Sequence, residues 1–290
     1  MKPSSILIIG CGDLGLRTAK HLQTDHWRVH GVRRNTDKLP KEITAHRADY
    51  TRPGSLDFIA DLAPDFVLAT LNPFDRSEAG YRAGFDRAMA NILAGLGQHR
   101  PRHIIMSSST RVFAEQDGGW VDESSPLTES DPWGRAIVDA ERRLLDAGLP
   151  GSVVRFGGIY GIPGGRLLAR VRRGELCPPE PISYTNRIHR EDCAGFLVHL
   201  LRQAEADATL LPVYLGVDDL PAPRYEVESW LARELAAPLQ GEERSAARQE
   251  ATQHNRVGHK RCRNDALHMS GYSLVYPDYR SGYGALLKAL

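Results

Sequence analysis

The chain has 290 residues, 41% hydrophobic and 25% charged, a balance that suits a globular protein with one large domain and a smaller lobe. Its 37 basic and 36 acidic side chains leave a net charge of +1, which gives no electrostatic footprint for nucleic acid or an acidic membrane surface. No apolar run approaches the ~20 residues needed to span a bilayer, and Met1-Lys2-Pro3-Ser4 leads into a strand rather than a signal-peptide core, so no membrane partner and a cytoplasmic protein are expected.

Ile6-Leu7-Ile8-Ile9 carries no polar alternation and reads as a parallel strand buried on both faces, while Leu14, Leu16, Ala19 and Leu22 recur at helical spacing. Between them lies Gly10-Cys11-Gly12-Asp13-Leu14-Gly15, a Gly-x-Gly-x-x-Gly run in a strand-to-helix turn. There the first glycine makes the tight turn and the second lets backbone approach a pyrophosphate. The third lets helix and strand pack closely, with phosphate over the helix N-terminus. A dinucleotide is the expected ligand. The next strand, Trp27-Arg28-Val29-His30-Gly31-Val32, runs out at Arg33-Arg34, about 20 residues beyond the glycines, where an NAD enzyme would carry an acid for the ribose 2′-hydroxyl. Two guanidiniums suit a 2′-phosphate, so NADP is expected ahead of NAD; as surface charges they would need no ligand.

Strand and helix patterns continue to alternate to about residue 160, the signature of a doubly wound parallel sheet. The expected pieces are a strand over 43–50 ending near Asp49, a helix over 55–62, a strand over 65–70 closing at Thr70, and a long helix over 78–98. A strand over 103–106 then runs into Ser107-Ser108-Ser109-Thr110, and a sixth strand covers 151–160. On the long helix, Tyr81, Phe85, Ala88, Met89, Ile92, Leu93 and Leu96 form one apolar stripe, and Ala83, Ala90 and Ala94 leave the remainder small enough for another helix to approach. After about residue 161, Gly and Pro clusters and a polar stretch over 241–260 break the alternation; a smaller lobe is expected, with its clearest helices over 192–203 and 225–237. The predicted division is a dinucleotide-binding domain over 1–161 and a smaller α+β substrate lobe over 162–290, with some chain crossing back to the sheet. The cysteines Cys11, Cys177, Cys193 and Cys262 show no Cys-x-x-Cys spacing, and the histidines no His-Glu-x-x-His set, so reduced thiols and no metal are expected.

Several phrases beyond the glycine turn form one set: Met106-Ser107-Ser108-Ser109-Thr110-Arg111-Val112-Phe113, Trp120-Val121-Asp122-Glu123, Asp131-Pro132-Trp133-Gly134-Arg135-Ala136, Val154-Arg155-Phe156-Gly157-Gly158-Ile159-Tyr160-Gly161 and Asn186-Arg187-Ile188-His189. Together they resemble the extended short-chain dehydrogenase/reductase superfamily of the NAD(P)-dependent epimerase/dehydratase type, in an atypical branch. The resemblance implies a Rossmann-type sheet and a C-terminal substrate lobe. It implies cofactor contacts from strand ends: Gly10, Gly12, Asp13, Leu14, Gly15, Asp49, Thr70, Ser107, Phe156 and Gly158. It also implies a homodimer through the helices near 78–98 and 132–147, and contacts to a substrate anion from Arg166, Arg187 and His189 in the lobe.

Such enzymes carry Tyr-x-x-x-Lys on the helix after the fifth strand, with both side chains on one face so that lysine holds the ribose and lowers the phenol pKa. The matching positions here are Trp133 and Ile137, and neither can act as an acid or base near neutral pH. Ser109, with Thr110 beside it, matches the serine that hydrogen-bonds the substrate oxygen, or it satisfies backbone at a strand end. Asp86, Tyr81 and Tyr160 are the candidates to replace the relay. Two functions follow: an NADP-dependent oxidoreductase or epimerase-like protein acting on a carbonyl or nucleotide-sugar-type substrate, or a non-catalytic NADP-binding redox-sensing or regulatory protein.

Overall fold

A computed structural model describes residues 3–237 and 258–289; most of the polar stretch noted over 241–260 lies outside the described residues. In chain order the main elements are β1 (Ser5–Ile9), α1 (Asp13–Thr24), β2 (Arg28–Arg33), β3 (Thr44–Arg47), α2 (Phe58–Leu62), β4 (Phe66–Ala69), α3 (Glu78–Arg82), α4 (Ala88–Leu96), β5 (His103–Ser109), α5 (Pro132–Leu145), β6 (Gly151–Phe156), α6 (Arg166–Arg172), α7 (Arg190–Glu205), β7 (Val213–Gly216) and α8 (Arg224–Glu234). The seven strands form one sheet in the order β7-β6-β5-β4-β1-β2-β3. Within it β3, β2, β1, β4 and β5 pair parallel.

This is the doubly wound Rossmann arrangement, and its strand order reverses between β1 and β4. Ile9 and Ala69 are register partners there, so the loops leaving β1 and β4 open side by side at the carboxyl edge. Every residue of β1 and β4 is buried, which accounts for their unalternated apolar sequences.

Three departures from the predicted elements have physical causes. The helix expected over 78–98 is interrupted by a π-helical turn, Ala83–Arg87, between α3 and α4. At Gly84 an added Cβ would stand 2.2 Å from the Asn72 carbonyl oxygen, so the helix backbone lies directly on the loop leaving β4. The strand expected over 151–160 divides at Gly157, where a Cβ would meet Asn186 backbone at 3.0 Å. β6 stays in the main sheet, whereas Gly158–Tyr160 pairs with Arg187–His189 in a separate two-stranded sheet. β7 forms one edge of the main sheet and was not predicted, since its four residues behind Pro212 are too short to show a period.

The chain forms two compact units. One comprises residues up to 112, 127–155 and 193–214; the other comprises 113–126, 156–192 and the chain from 215 on. In the first, α5 is fixed to the sheet by a buried charge cluster. Arg155 of β6 donates Nη2 to Glu141 Oε2 at 2.8 Å and Nε to the same carboxylate at 3.2 Å, while Ser108 of β5 donates to Glu141 Oε1. Both charged side chains are at most 4% exposed. In the second unit, Tyr160, Leu168, Val171, Leu231, Tyr279 and Tyr283 lie in one apolar core.

Candidate functional site

The cradle begins where β1 ends. Gly10 has φ +81°, a conformation L side chains rarely adopt, and an added Cβ would come within 2.4 Å of the Thr70 carbonyl oxygen. Thr70, one residue past β4, donates its hydroxyl to the Gly10 carbonyl at 2.8 Å, and Gly10 and Cys11 N–H groups both donate to Val32 O at 3.1 Å. The turn is thereby tied to β4 on one side and β2 on the other. At Gly15 a Cβ would meet the Ile8 side chain at 2.9 Å, so this glycine sets how closely α1 packs on β1. Gly12 differs, because the nearest atom to its added Cβ is the turn's own Gly10 O at 3.6 Å, and its open side exposes backbone to a ligand. No side chain caps α1 at Gly12. Asp13, Leu14 and Gly15 form the first turn of α1, the positive end of its helix dipole. The Asp13 carboxylate turns along the helix to Arg17, 3.2 Å away, so its contribution here is backbone.

Cys11 lies beneath this turn, buried, with its thiol pushed up to about 11 by burial against the pull of Arg33. A buried thiol held in the protonated form packs as a small apolar side chain. Arg33 closes β2 half-buried, and Arg34 stands exposed with its guanidinium carbon 5.4 Å from the centre of the Phe74 ring. Phe74, on the loop after β4, is 55% exposed and was missed by sequence reasoning; a lone aromatic in a loop carries no pattern. Asp49 accepts from the Thr51 hydroxyl at 2.7 Å and its N–H at 3.1 Å. Burial would raise its pKa, but these bonds and the charges of Arg34 and Arg52 outweigh it and hold the carboxyl below the usual range. Replacing Gly10 by Ala imposes roughly 1–2 kcal/mol of left-handed backbone strain and displaces Thr70. Dinucleotide affinity, read by isothermal calorimetry, should fall at least ~10-fold, whereas Gly12→Ala should cost binding without lowering stability.

Ser107 is buried near the end of β5, and Ser109 and Thr110 are half-buried where the strand turns. Ser109 Oγ accepts the Arg111 N–H at 3.2 Å. Asp131 caps α5 by accepting the Gly134 N–H at 3.1 Å, and Pro132 occupies the first helical turn. Trp133 donates its indole N–H to the Arg76 carbonyl at 3.0 Å, and Ile137 is buried. The relay positions are thus filled by a structural indole and a core side chain.

Two residues after Ser109, Arg111 carries a positive charge held in place by its neighbours. Its Nε and Nη2 donate to the Asp131 carboxylate at 2.6 and 3.0 Å, and its guanidinium lies 5.2 Å from the Trp133 ring centre and 5.7 Å from that of Tyr81. Burial works against the charge, but Asp131 and Tyr81 more than offset it. Sequence reasoning missed this group. Asp86 sits in the π turn as the ion-pair partner of Arg143 on α5, tying the two helices together.

The remaining predicted residues belong to the second unit. Phe156 is buried at the end of β6, and Gly158 donates its N–H to Asn186 O at 2.9 Å. Arg166 is exposed at the start of α6. Arg187 is 7% exposed, and His189 is buried with ring centres of Tyr276 and Tyr160 at 4.1 and 5.2 Å. The Tyr160 phenol, stacked on Tyr283, is pushed up by burial, which makes it a poor proton donor. Among the described residues no group of three or more His, Cys, Asp or Glu side chains could hold a metal ion.

A Rossmann unit with a complete dinucleotide cradle and no Tyr-x-x-x-Lys pair is the class these features define. The NAD(P)H-binding family profile matches residues 10–204, and the chain belongs to that family, as an atypical extended short-chain dehydrogenase/reductase of the epimerase/dehydratase type. A structure described as a candidate NAD-dependent epimerase/dehydratase from Methylobacillus flagellatus is 33% identical, covers 99% of this chain and 98% of its own, and superposes with a TM-score of 0.82. The human epimerase family protein SDR39U1 (isoform 2), solved with NADPH, shares the fold at 18% identity, with 99% and 100% of the two chains covered and a TM-score of 0.73. A 3-diazoavenalumate denitrifying reductase from a Streptomyces species is 32% identical over 150 residues, which is 47% of this chain and 47% of the reductase. Among the described residues no helix is long and apolar enough to cross a membrane.

Proposed function

We propose that the protein is an NADP-dependent oxidoreductase, or an epimerase-like relative, that acts on a carbonyl or nucleotide-sugar-type substrate without the usual tyrosine and lysine. The observation that carries this reading is Arg111, a guanidinium locked by Asp131 within two residues of Ser109. The glycine turn and α1 receive the pyrophosphate, and Arg34 on its Phe74 platform, with Arg33 beside it, receives the 2′-phosphate. When bound, the reduced nicotinamide supplies a hydride to an electrophilic carbon. Ser109 donates a hydrogen bond to the substrate oxygen, and Arg111 supplies the charge that steadies negative charge developing there. The reductase relative and the neighbour solved with NADPH support the same direction. A homodimer across α3, α4 and α5, and a cytoplasmic location, belong to this proposal.

The filled relay positions favour a second reading, a non-catalytic NADP-binding regulator. Following NADPH consumption across a panel of aldehydes, ketones and nucleotide sugars separates the two. Turnover that falls ~10²-fold in Arg111→Met supports the enzyme. Tight NADPH binding with no turnover across the panel supports the regulator. In that case Trp133→Tyr combined with Ile137→Lys should create activity that neither single change creates.

A further inference from the structure

The first unit contains a cavity of about 520 Å³ at the amino edge of the sheet, the edge away from the glycine turn. His103 opens β5, Gly151 opens β6, and Pro212 directly precedes β7. The Ile104 N–H donates to Pro150 O and the Val153 N–H to Pro212 O, both at 2.9 Å, so the three strands start side by side. β5 runs parallel to β4, which puts His103 at the opposite end of the strand from Ser109, about 20 Å away at the usual rise per residue. The end of α7 and the segment leading into β7 complete the walls.

Most of the lining is apolar, supplied by Pro150, Ala204, Leu210 and Pro212, and its two charges cancel. Arg102 donates Nη2 to Asp207 Oδ1 and to Glu205 O, each at 2.7 Å, so the guanidinium caps the carbonyl end of α7 and pairs with the carboxylate beyond it. His103 adds no charge at neutral pH, because burial pushes its imidazole down to about 4. A neutral imidazole has one donor and one acceptor nitrogen. The Ser152 hydroxyl donates to Leu211 O at 2.7 Å, so its oxygen accepts from His103 Nε2 at 3.0 Å, and Nε2 carries the ring proton. Nδ1 keeps its lone pair, and no donor among the described residues reaches it. A buried polar atom left unmatched calls for a partner, and here it belongs to a side chain on the wall of a neutral cavity. The volume lies within the ~300–1,000 Å³ of small-molecule sites, which are characteristically apolar with a few placed polar groups.

We propose that this cavity binds a neutral, largely apolar small molecule that carries one N–H or O–H donor, the chemistry of indoles and phenols, with that donor on His103 Nδ1. The site does not depend on the cofactor reading, because none of its groups belongs to the glycine turn or to the residues around Ser109.

The test is calorimetric titration of the full chain with indole and with benzofuran, which has the same ring shape but no N–H, on wild type, His103→Phe and Ala208→Trp. Ala208 is exposed and lines the same cavity, and its replacement fills the space without removing His103 or a charge, so it decides the matter if His103→Phe does not fold. Saturable indole binding in wild type, at least ~5-fold tighter than that of benzofuran and weakened at least ~5-fold in Ala208→Trp, is the expected result. In His103→Phe the preference for indole should disappear. No saturable binding, equal affinities of wild type for the two compounds, or indole binding that survives Ala208→Trp overturns the proposal; the last would place the compound elsewhere, the dinucleotide cradle included.

Discussion

Glu141→Ala should destabilise the protein by roughly 3–5 kcal/mol, a large share of the ~5–15 kcal/mol that holds a typical domain together. Glu141 and Arg155 are both almost fully excluded from water, and removing the carboxylate leaves a guanidinium in the interior with its principal partner gone. The loss reflects that stranded charge more than the net worth of the pair, since a buried ion pair roughly breaks even against an apolar substitute. The double variant Glu141→Leu with Arg155→Met should therefore lie much closer to wild type than the sum of the two single changes. Urea denaturation of wild type, Glu141→Ala, Glu141→Leu, Arg155→Met and the double variant checks both statements, and a Glu141→Ala loss below about 1 kcal/mol, as for an exposed pair, would contradict them. The consequence reaches the site. Glu141 is the point at which β5, β6 and α5 are bound together, and α5 carries Trp133 and the Asp131 cap that holds Arg111.

Replacing Arg33 and Arg34 together by Ala should weaken NADP binding about 10²-fold and leave NAD binding nearly unchanged. Hydrogen bonds to charged groups contribute ~1.5–3 kcal/mol each, and only NADP offers the 2′-phosphate that would receive them. Arg34→Ala alone should account for the greater part, because Arg34 is exposed over Phe74 whereas Arg33 is half-buried above Cys11. Calorimetric titration with both dinucleotides checks the difference. Equal loss for the two would assign the arginines to the turn's stability rather than to the ribose phosphate.

What the sequence disclosed follows from which forces leave a period behind. β1 and β4 are buried on both faces and bordered by turn residues, so their positions and the cradle between them were legible from Ile6 to Gly15. The π turn at Ala83–Arg87 was not, because shifting a backbone hydrogen bond by one residue leaves the apolar stripe almost unaltered; Gly84 is its one outward sign. Glu141 had a signal that went unread: it falls with Ile137, Val138 and Leu144 on the buried face of α5, where a lone carboxylate demands a partner. That partner is 14 residues further along the chain and on a strand, a pairing only the fold can make. Arg111 and Asp131 are likewise 20 residues apart. The glycine turn is thus local in sequence, whereas the pairs that join Thr70 to Gly10, Arg34 to Phe74 and Arg111 to Asp131 are made only by the fold.

The most direct test of the account is the pair of dissociation constants of the wild-type protein for NADPH and NADH at one ionic strength. Binding of NADPH at least ~10-fold tighter than NADH is the predicted result, from the 2′-phosphate meeting Arg34 and Arg33; equal affinities, or tighter binding of NADH, would contradict it.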